Sequence, residues 1–182
     1  MKPFVKLDWK APFGAEIVRW ATIHHRFSKK QKYNKCLPDE YTSVPTESLS
    51  LPEAFASQAI AVAPATIKVL EIPQAFLIRM AATDALKPVL PAHVDYNRTC
   101  GINFYLEAGG ETTHYYDWDQ TSRALQETAS FQASQGDCWL IDTSIPHSVS
   151  LKSNQQRLIL TLSFTQASFA QVSAWLGEAG HV

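Results

Sequence analysis

Pro88-Val89-Leu90-Pro91-Ala92-His93-Val94-Asp95 and, after a short gap, Thr99-Cys100-Gly101-Ile102-Asn103-Phe104-Tyr105-Leu106 are the stretches on which the reading of this chain turns. Both are short, apolar-rich runs bounded by turn residues, which predicts strands. Side chains alternate across a strand, so His93 and Asp95 project together while Val94 faces the other way. A helix would splay the pair. His147 stands 52 residues beyond Asp95, and Arg157 ten residues beyond that. Two imidazoles and one carboxylate can occupy one face of an octahedral Fe(II), leaving three positions open.

Working outward, the chain after about residue 65 reads as one short strand after another. Candidates lie at 66–72, 75–82, 88–95, 99–106, 112–117, 127–133, 137–142, 146–151 and 155–165. Gly109-Gly110 and Gly136-Asp137 mark turns. Many short strands without helical periods between them predict a sandwich or barrel, and eight or so fit a double-sheet jelly roll. Ahead of residue 65 the text is helical or irregular. Ile17, Trp20, Ala21, His24 and Phe27 recur at helical spacing over 15–27, a second helix opens at Pro52 over 52–62, and a polar connector runs from Pro38 to Ser50. His24, on the apolar face, is expected to pack rather than ligate. A closing amphipathic helix at 168–177 carries Phe169, Val172, Trp175 and Leu176. The expected organisation is one mostly-β domain over 1–182: N-terminal helical or irregular support (1–65), a jelly-roll core (66–165), and a short C-terminal helix and tail (166–182).

Composition narrows the class. A 182-residue chain that is 46% hydrophobic can bury a sizeable core, which excludes a disordered chain. No run approaches 18 consecutive apolar residues, and Met1-Lys2-Pro3-Phe4-Val5-Lys6 lacks the apolar core of a signal peptide, so a soluble cytoplasmic protein without membrane association is expected. Cys36, Cys100 and Cys138 form no Cys-x-x-Cys and leave an odd thiol, which argues for free thiols. A net charge of −1 gives no global pull toward nucleic acid. The local basic run of Arg26, Lys29, Lys30, Lys32 and Lys35 is expected to form a mobile or substrate-facing segment, because like charges so close repel unless solvated or paired. Hydrolase, kinase and dinucleotide readings lack their motifs: the chain has no Gly-x-Ser-x-Gly, no phosphate loop and no Gly-x-Gly-x-x-Gly.

Over residues 75–165 the chain resembles the double-stranded β-helix core of Fe(II)/2-oxoglutarate-dependent dioxygenases, particularly the prolyl-hydroxylase-like and phage-type branches. The resemblance is carried by His93-Val94-Asp95, Arg98 leading into Asn103-Phe104-Tyr105-Leu106, Gly109-Gly110-Glu111-Thr112, Gly136-Asp137, His147, and Arg157 opening a strand that ends Leu162-Ser163-Phe164. It implies His93, Asp95 and His147 as iron ligands and Arg157 as the partner of the 5-carboxylate of 2-oxoglutarate, a role suited to a planar guanidinium. It places Tyr105 against the same carboxylate. Strand alternation sets Asn103 and Gly101 on Tyr105's face, so Asn103 could meet the 1-carboxylate or orient a ligand. The pattern departs from the family at Ile159, where many members carry Ser, and at His114, where relatives carry an aromatic residue; His114 is not expected to be a ligand. The implied activity is 2-oxoglutarate decarboxylation coupled through O₂ to oxidation of a small molecule, amino acid or peptide. Specificity would reside in the mouth loops, where Tyr115, Tyr116, Asp117 and Trp118 are candidates. Two alternatives stay open: a cupin-type metalloenzyme that uses no 2-oxo acid, and a non-enzymatic binding module on the same barrel.

Overall fold

A computed structural model describes residues 2–24, 29–30, 33–35, 46–65, 68, 71–80, 89–95, 98–108, 110–151 and 156–182. In chain order the elements are β1 (Phe4–Leu7), α1 (Gly14–His24), β2 (Lys29–Lys30), β3 (Tyr33–Lys35), β4 (Thr46–Ser50), α2 (Glu53–Ala61), β5 (Gln74–Met80), β6 (Val89–Asp95), β7 (Cys100–Glu107), β8 (Thr112–Asp119), β9 (Ala124–Gln132), β10 (Cys138–Asp142), β11 (His147–Ser150), β12 (Arg157–Phe164) and α3 (Phe169–Glu178). The strands form two antiparallel sheets. One runs β1-β10-β7-β12-β5-β4-β2 and the other β3-β6-β11-β8-β9.

The two faces of the larger sheet explain the composition of its central strands. Every residue of β12 is buried, yet the strand reads Arg-Leu-Ile-Leu-Thr-Leu-Ser-Phe. Leu158, Leu160, Leu162 and Phe164 join Ile102, Phe104 and Leu140 in a core with Ile17 and Ala21 of α1, Ala59 of α2, and Phe169, Val172 and Leu176 of α3. Each such side chain contributes about 1.5–3 kcal/mol through removal from water. The alternate positions, Arg157, Ile159, Thr161 and Ser163, face the space between the sheets. There Ile159 meets Phe4, Ile78, Tyr105, Tyr115, Phe131 and Ile141 in a second apolar cluster. Helices thus cover the leucine face, and polar residues are directed into the barrel.

Local signals account for the helices and turns. Ser168 caps α3 and Gln171 reaches back to the cap, a reciprocal arrangement that satisfies free N–H groups at the helix start. Gly136, at φ +86°, takes the left-handed conformation of the turn before β10. His24 is half-buried and stacks on Trp20, with ring centroids 4.8 Å apart, as a packed histidine should.

Two expectations need correction. The first 50 residues are not only helical or irregular support: they supply β1, β2, β3 and β4 to the two sheets. These strands are two to five residues long, too short to carry a period of their own, and form because longer strands offer unpaired edges. The described residues of the strand expected at 66–72 do not form one: Lys68 is helical and 71–72 are irregular, and the remainder lie outside the described residues. Arg26 and Lys32 also lie outside them. Lys29 and Lys30 fall in β2 and Lys35 in β3, whose backbone pairs Tyr33 with Asp95 and Lys35 with His93. Cys100 and Cys138 are free and buried, and burial pushes the Cys100 thiol up to about 12, so neither is poised to react. Cys36 is not among the described residues. None of the described helices is long and apolar enough to cross a membrane.

Candidate metal centre

Strand β6 ends in His93-Val94-Asp95, and β11 begins with His147. The two strands are neighbours, with His93 directly opposite His147. This register brings one ligand atom from each of His93, Asp95 and His147 within 4.8 Å of the others. The imidazole centroids are 4.3 Å apart, and His93 Nε2 is 3.4 Å from Asp95 Oδ1.

Each imidazole is oriented in the same way. His93 Nδ1 donates to the Pro91 carbonyl at 2.8 Å, and His147 Nδ1 donates to the Ile145 carbonyl at 2.9 Å. A backbone oxygen two residues upstream fixes the tautomer and leaves Nε2 with its lone pair, as a metal ligand requires. Burial, reinforced by neighbouring His93, pushes His147 down to about 4 despite the attraction of Asp95. The ring is therefore neutral at physiological pH. Burial would raise the Asp95 carboxyl, but the Arg98 guanidinium beside it outweighs this and holds the group well below the usual carboxylate range. Two imidazole nitrogens and one carboxylate oxygen in a buried cluster suit a divalent transition metal.

Arg98 was legible only as part of a motif; its place was not. Its Nε lies 3.2 Å from Asp95 Oδ2, and both side chains are buried. The guanidinium lies over Gly101, where an added Cβ would come within 2.9 Å of Arg98 Nη2 and 3.1 Å of Thr161 Oγ1. Gly101 is thus the space in which Arg98 sits.

A cavity of about 40 Å³ is lined by the three candidate ligands together with Arg98, Asn103, Thr113, Arg157 and apolar residues of both sheets. Arg157 opens β12, and its guanidinium carbon lies 5.5 Å from the centre of the Tyr105 ring. Asn103 Oδ1, Tyr105 OH, Thr113 Oγ1, Thr161 Oγ1 and Arg98 Nη1 are buried without a hydrogen-bond partner. Buried polar atoms are normally satisfied, so the orphans of Arg98, Asn103 and Thr113, which line this cavity beside the candidate ligands, point to a polar ligand.

Sequence reasoning did not foresee Glu111. It is fully buried, and its Oε1 accepts from Arg157 Nε at 3.0 Å. Arg157 Nη1 also lies 3.1 Å from Met80 Sδ. Arg157 is therefore already partnered. Other candidates fall elsewhere: His114 contacts Glu127 and Ser150 at 3.0 and 2.9 Å and is not part of the His93, Asp95 and His147 cluster. Of the mouth residues, Tyr115 is fully buried with its ring 5.9 Å from that of His147, and Tyr116 shares a hydrogen bond with Ser148. Asp117 and Trp118 are exposed on the part of the β8–β9 hairpin that runs past His147.

No protein-family model matches the sequence, and no curated protein matches it either. Solved structures do. A prolyl-4-hydroxylase from Pseudomonas putida superposes with a TM-score of 0.57 at 11% identity, over 91% of this chain and 94% of that one. A prolyl hydroxylase from Trichoplax adhaerens, in complex with a hypoxia inducible factor peptide fragment, gives 0.54 at 11% identity over 90% and 84%. The non-heme alpha ketoglutarate dependent epimerase SnoN from nogalamycin biosynthesis gives 0.55 at 11% identity over 87% and 76%. The chain thus has the fold, over nearly its whole length, on which these hydroxylases and this epimerase are built.

Proposed function

We propose that this protein is an Fe(II)- and 2-oxoglutarate-dependent oxygenase, acting as a hydroxylase on a small molecule, an amino acid or a peptide side chain. One observation carries the reading: a buried two-histidine, one-carboxylate cluster and a buried arginine line the same cavity between the sheets. In it, His93, Asp95 and His147 hold the iron, which when bound supplies open positions for the 2-oxo acid and O₂. The chain's own groups bind, orient and exclude water. Arg98 keeps Asp95 ionised, and the two backbone carbonyls hold the imidazoles with Nε2 inward. Arg157 meets the distal carboxylate of the diacid, with Tyr105 beneath its guanidinium, and Asn103, which lines the same cavity, offers its amide to the rest of the ligand. The likeness of fold to structures described as prolyl hydroxylases, one of them in complex with a peptide, supports the same reading. A cytoplasmic location suits it.

Anaerobic titration of 2-oxoglutarate into the Fe(II) protein is expected to raise a metal-to-ligand charge-transfer band. Arg157→Lys keeps the charge but loses the planar fork, and should weaken binding by about 1–3 kcal/mol with iron affinity nearly unchanged. One observation favours a second reading, a cupin-type metalloenzyme that needs no 2-oxo acid: Arg157 already has a carboxylate partner in Glu111. That reading takes over if no band appears in the iron-loaded wild type.

A further inference from the structure

Glu111 is used by nothing in the reading above, yet it is a fully buried carboxylate on the arginine assigned to the cosubstrate. Its Oε1 holds Arg157 Nε, while its Oε2 is buried with no hydrogen-bond partner. We propose that Glu111 makes cosubstrate binding proton-coupled: a 2-oxo diacid enters together with one proton, which Glu111 and the ligand's distal carboxylate share. This rests on the reading of the cavity as a 2-oxo diacid site.

The argument is one of charge count in a confined space. Among the described residues, the charged and titratable groups set around Glu111 are Arg157 of β12 and Tyr105 of β7; β5 contributes Met80, whose sulfur lies against Arg157 Nη1, and Thr113 lies two residues on, in β8. Burial raises the Tyr105 phenol, which Arg157 only partly offsets, so it stays protonated and brings no charge. Glu111 already neutralises Arg157. A diacid reaching the same guanidinium brings a second carboxylate against a single positive charge, with little solvent to screen either. Two carboxylates in one buried site do not both stay ionised; they hold a proton between them. The free Oε2 is where that proton can sit, donating to the ligand's carboxylate and satisfying an atom that otherwise has no partner. Nε is committed to Glu111, so the ligand is left the two terminal nitrogens.

Isothermal titration of 2-oxoglutarate into anaerobic Ni(II)-loaded protein, run in buffers of different ionisation enthalpy, counts the protons. The wild type is expected to take up about one proton per diacid bound, and its Kd should rise with pH, by up to about tenfold per unit. Glu111→Gln keeps an oxygen for Arg157 Nε but has no proton to gain, so uptake and the pH slope should both vanish. The wild-type measurement decides the matter even if that variant folds poorly. Diacid binding without proton uptake, or a pH slope unchanged in Glu111→Gln, overturns the coupling while leaving the cosubstrate assignment intact. Absence of any 2-oxoglutarate binding to the metal-loaded wild type overturns both.

Discussion

Replacing Glu111 by leucine would leave the Arg157 guanidinium buried without a counter-charge. The pair is 3.0 Å from Nε to Oε1, and its side chains are 7% and 0% exposed, so water screens neither partner. An exposed pair of that geometry is worth at most about 1 kcal/mol. Removing one partner of a buried pair costs more, about 3–5 kcal/mol, because the remaining charge cannot be solvated. At about 2–4 °C per kcal/mol for a chain of this size, Glu111→Leu should lower Tm by about 6–20 °C. Arg157→Met strands the other charge and should cost a similar amount. The double variant removes both charges and should return to within about 1 kcal/mol of wild type. Thermal and urea unfolding of the four proteins closes a double-mutant cycle. If Glu111→Leu is as stable as wild type, or if the double variant loses the sum of the single losses, the two residues do not act as a coupled buried pair, and the claim that Glu111 neutralises Arg157 fails.

Other consequences are more local. Gly101→Ala would set a Cβ 2.9 Å from Arg98 Nη2 and should displace the guanidinium from Asp95, costing about 1–3 kcal/mol and weakening metal binding; unchanged stability and metal affinity would remove Gly101 as Arg98's seat. His147→Ala should sharply lower metal content measured by atomic emission, whereas His114→Ala should keep it in full; the opposite pattern would relocate the centre. In the metal-free protein, His147 is pushed down to about 4 from a free value of 6.5, so the unfolded chain gains a proton first as the pH falls. Its contribution is complete above about pH 6.5 and is lost on the way down to pH 4, on the order of 3 kcal/mol in all. Asp95, held below the usual carboxylate range, loses its own contribution only at still lower pH. Urea unfolding in chelator at several pH values would reveal this, and a flat profile between pH 7 and 4.5 would contradict it.

What the sequence by itself determined was what depends on neighbours within a few residues. Strand alternation is a property of the backbone, so His93 and Asp95 shared a face before any partner strand was known. Helical spacing located α1, α2 and α3 to within a few residues, and the run of short strands from 75 to 165 was enough to indicate two packed sheets. Arg157 was singled out through the resemblance to a known family, and strand alternation sets it on the face opposite Leu158.

The tertiary structure decided what depends on pairing across the chain. The four short N-terminal strands have no periodicity of their own; β1, β3 and β4 exist because β10, β6 and β5 offer edges, and β2 then pairs with β4. Tyr115 looked like a mouth residue beside Tyr116, Asp117 and Trp118, but the register that sets it opposite His147 buries it completely. Glu111 lies 46 residues from Arg157 and next to a glycine turn, where a glutamate reads as solvated. Only the packing of the two sheets removes it from water and sets it on the guanidinium, and a buried polar group needs such a partner to offset the water it loses.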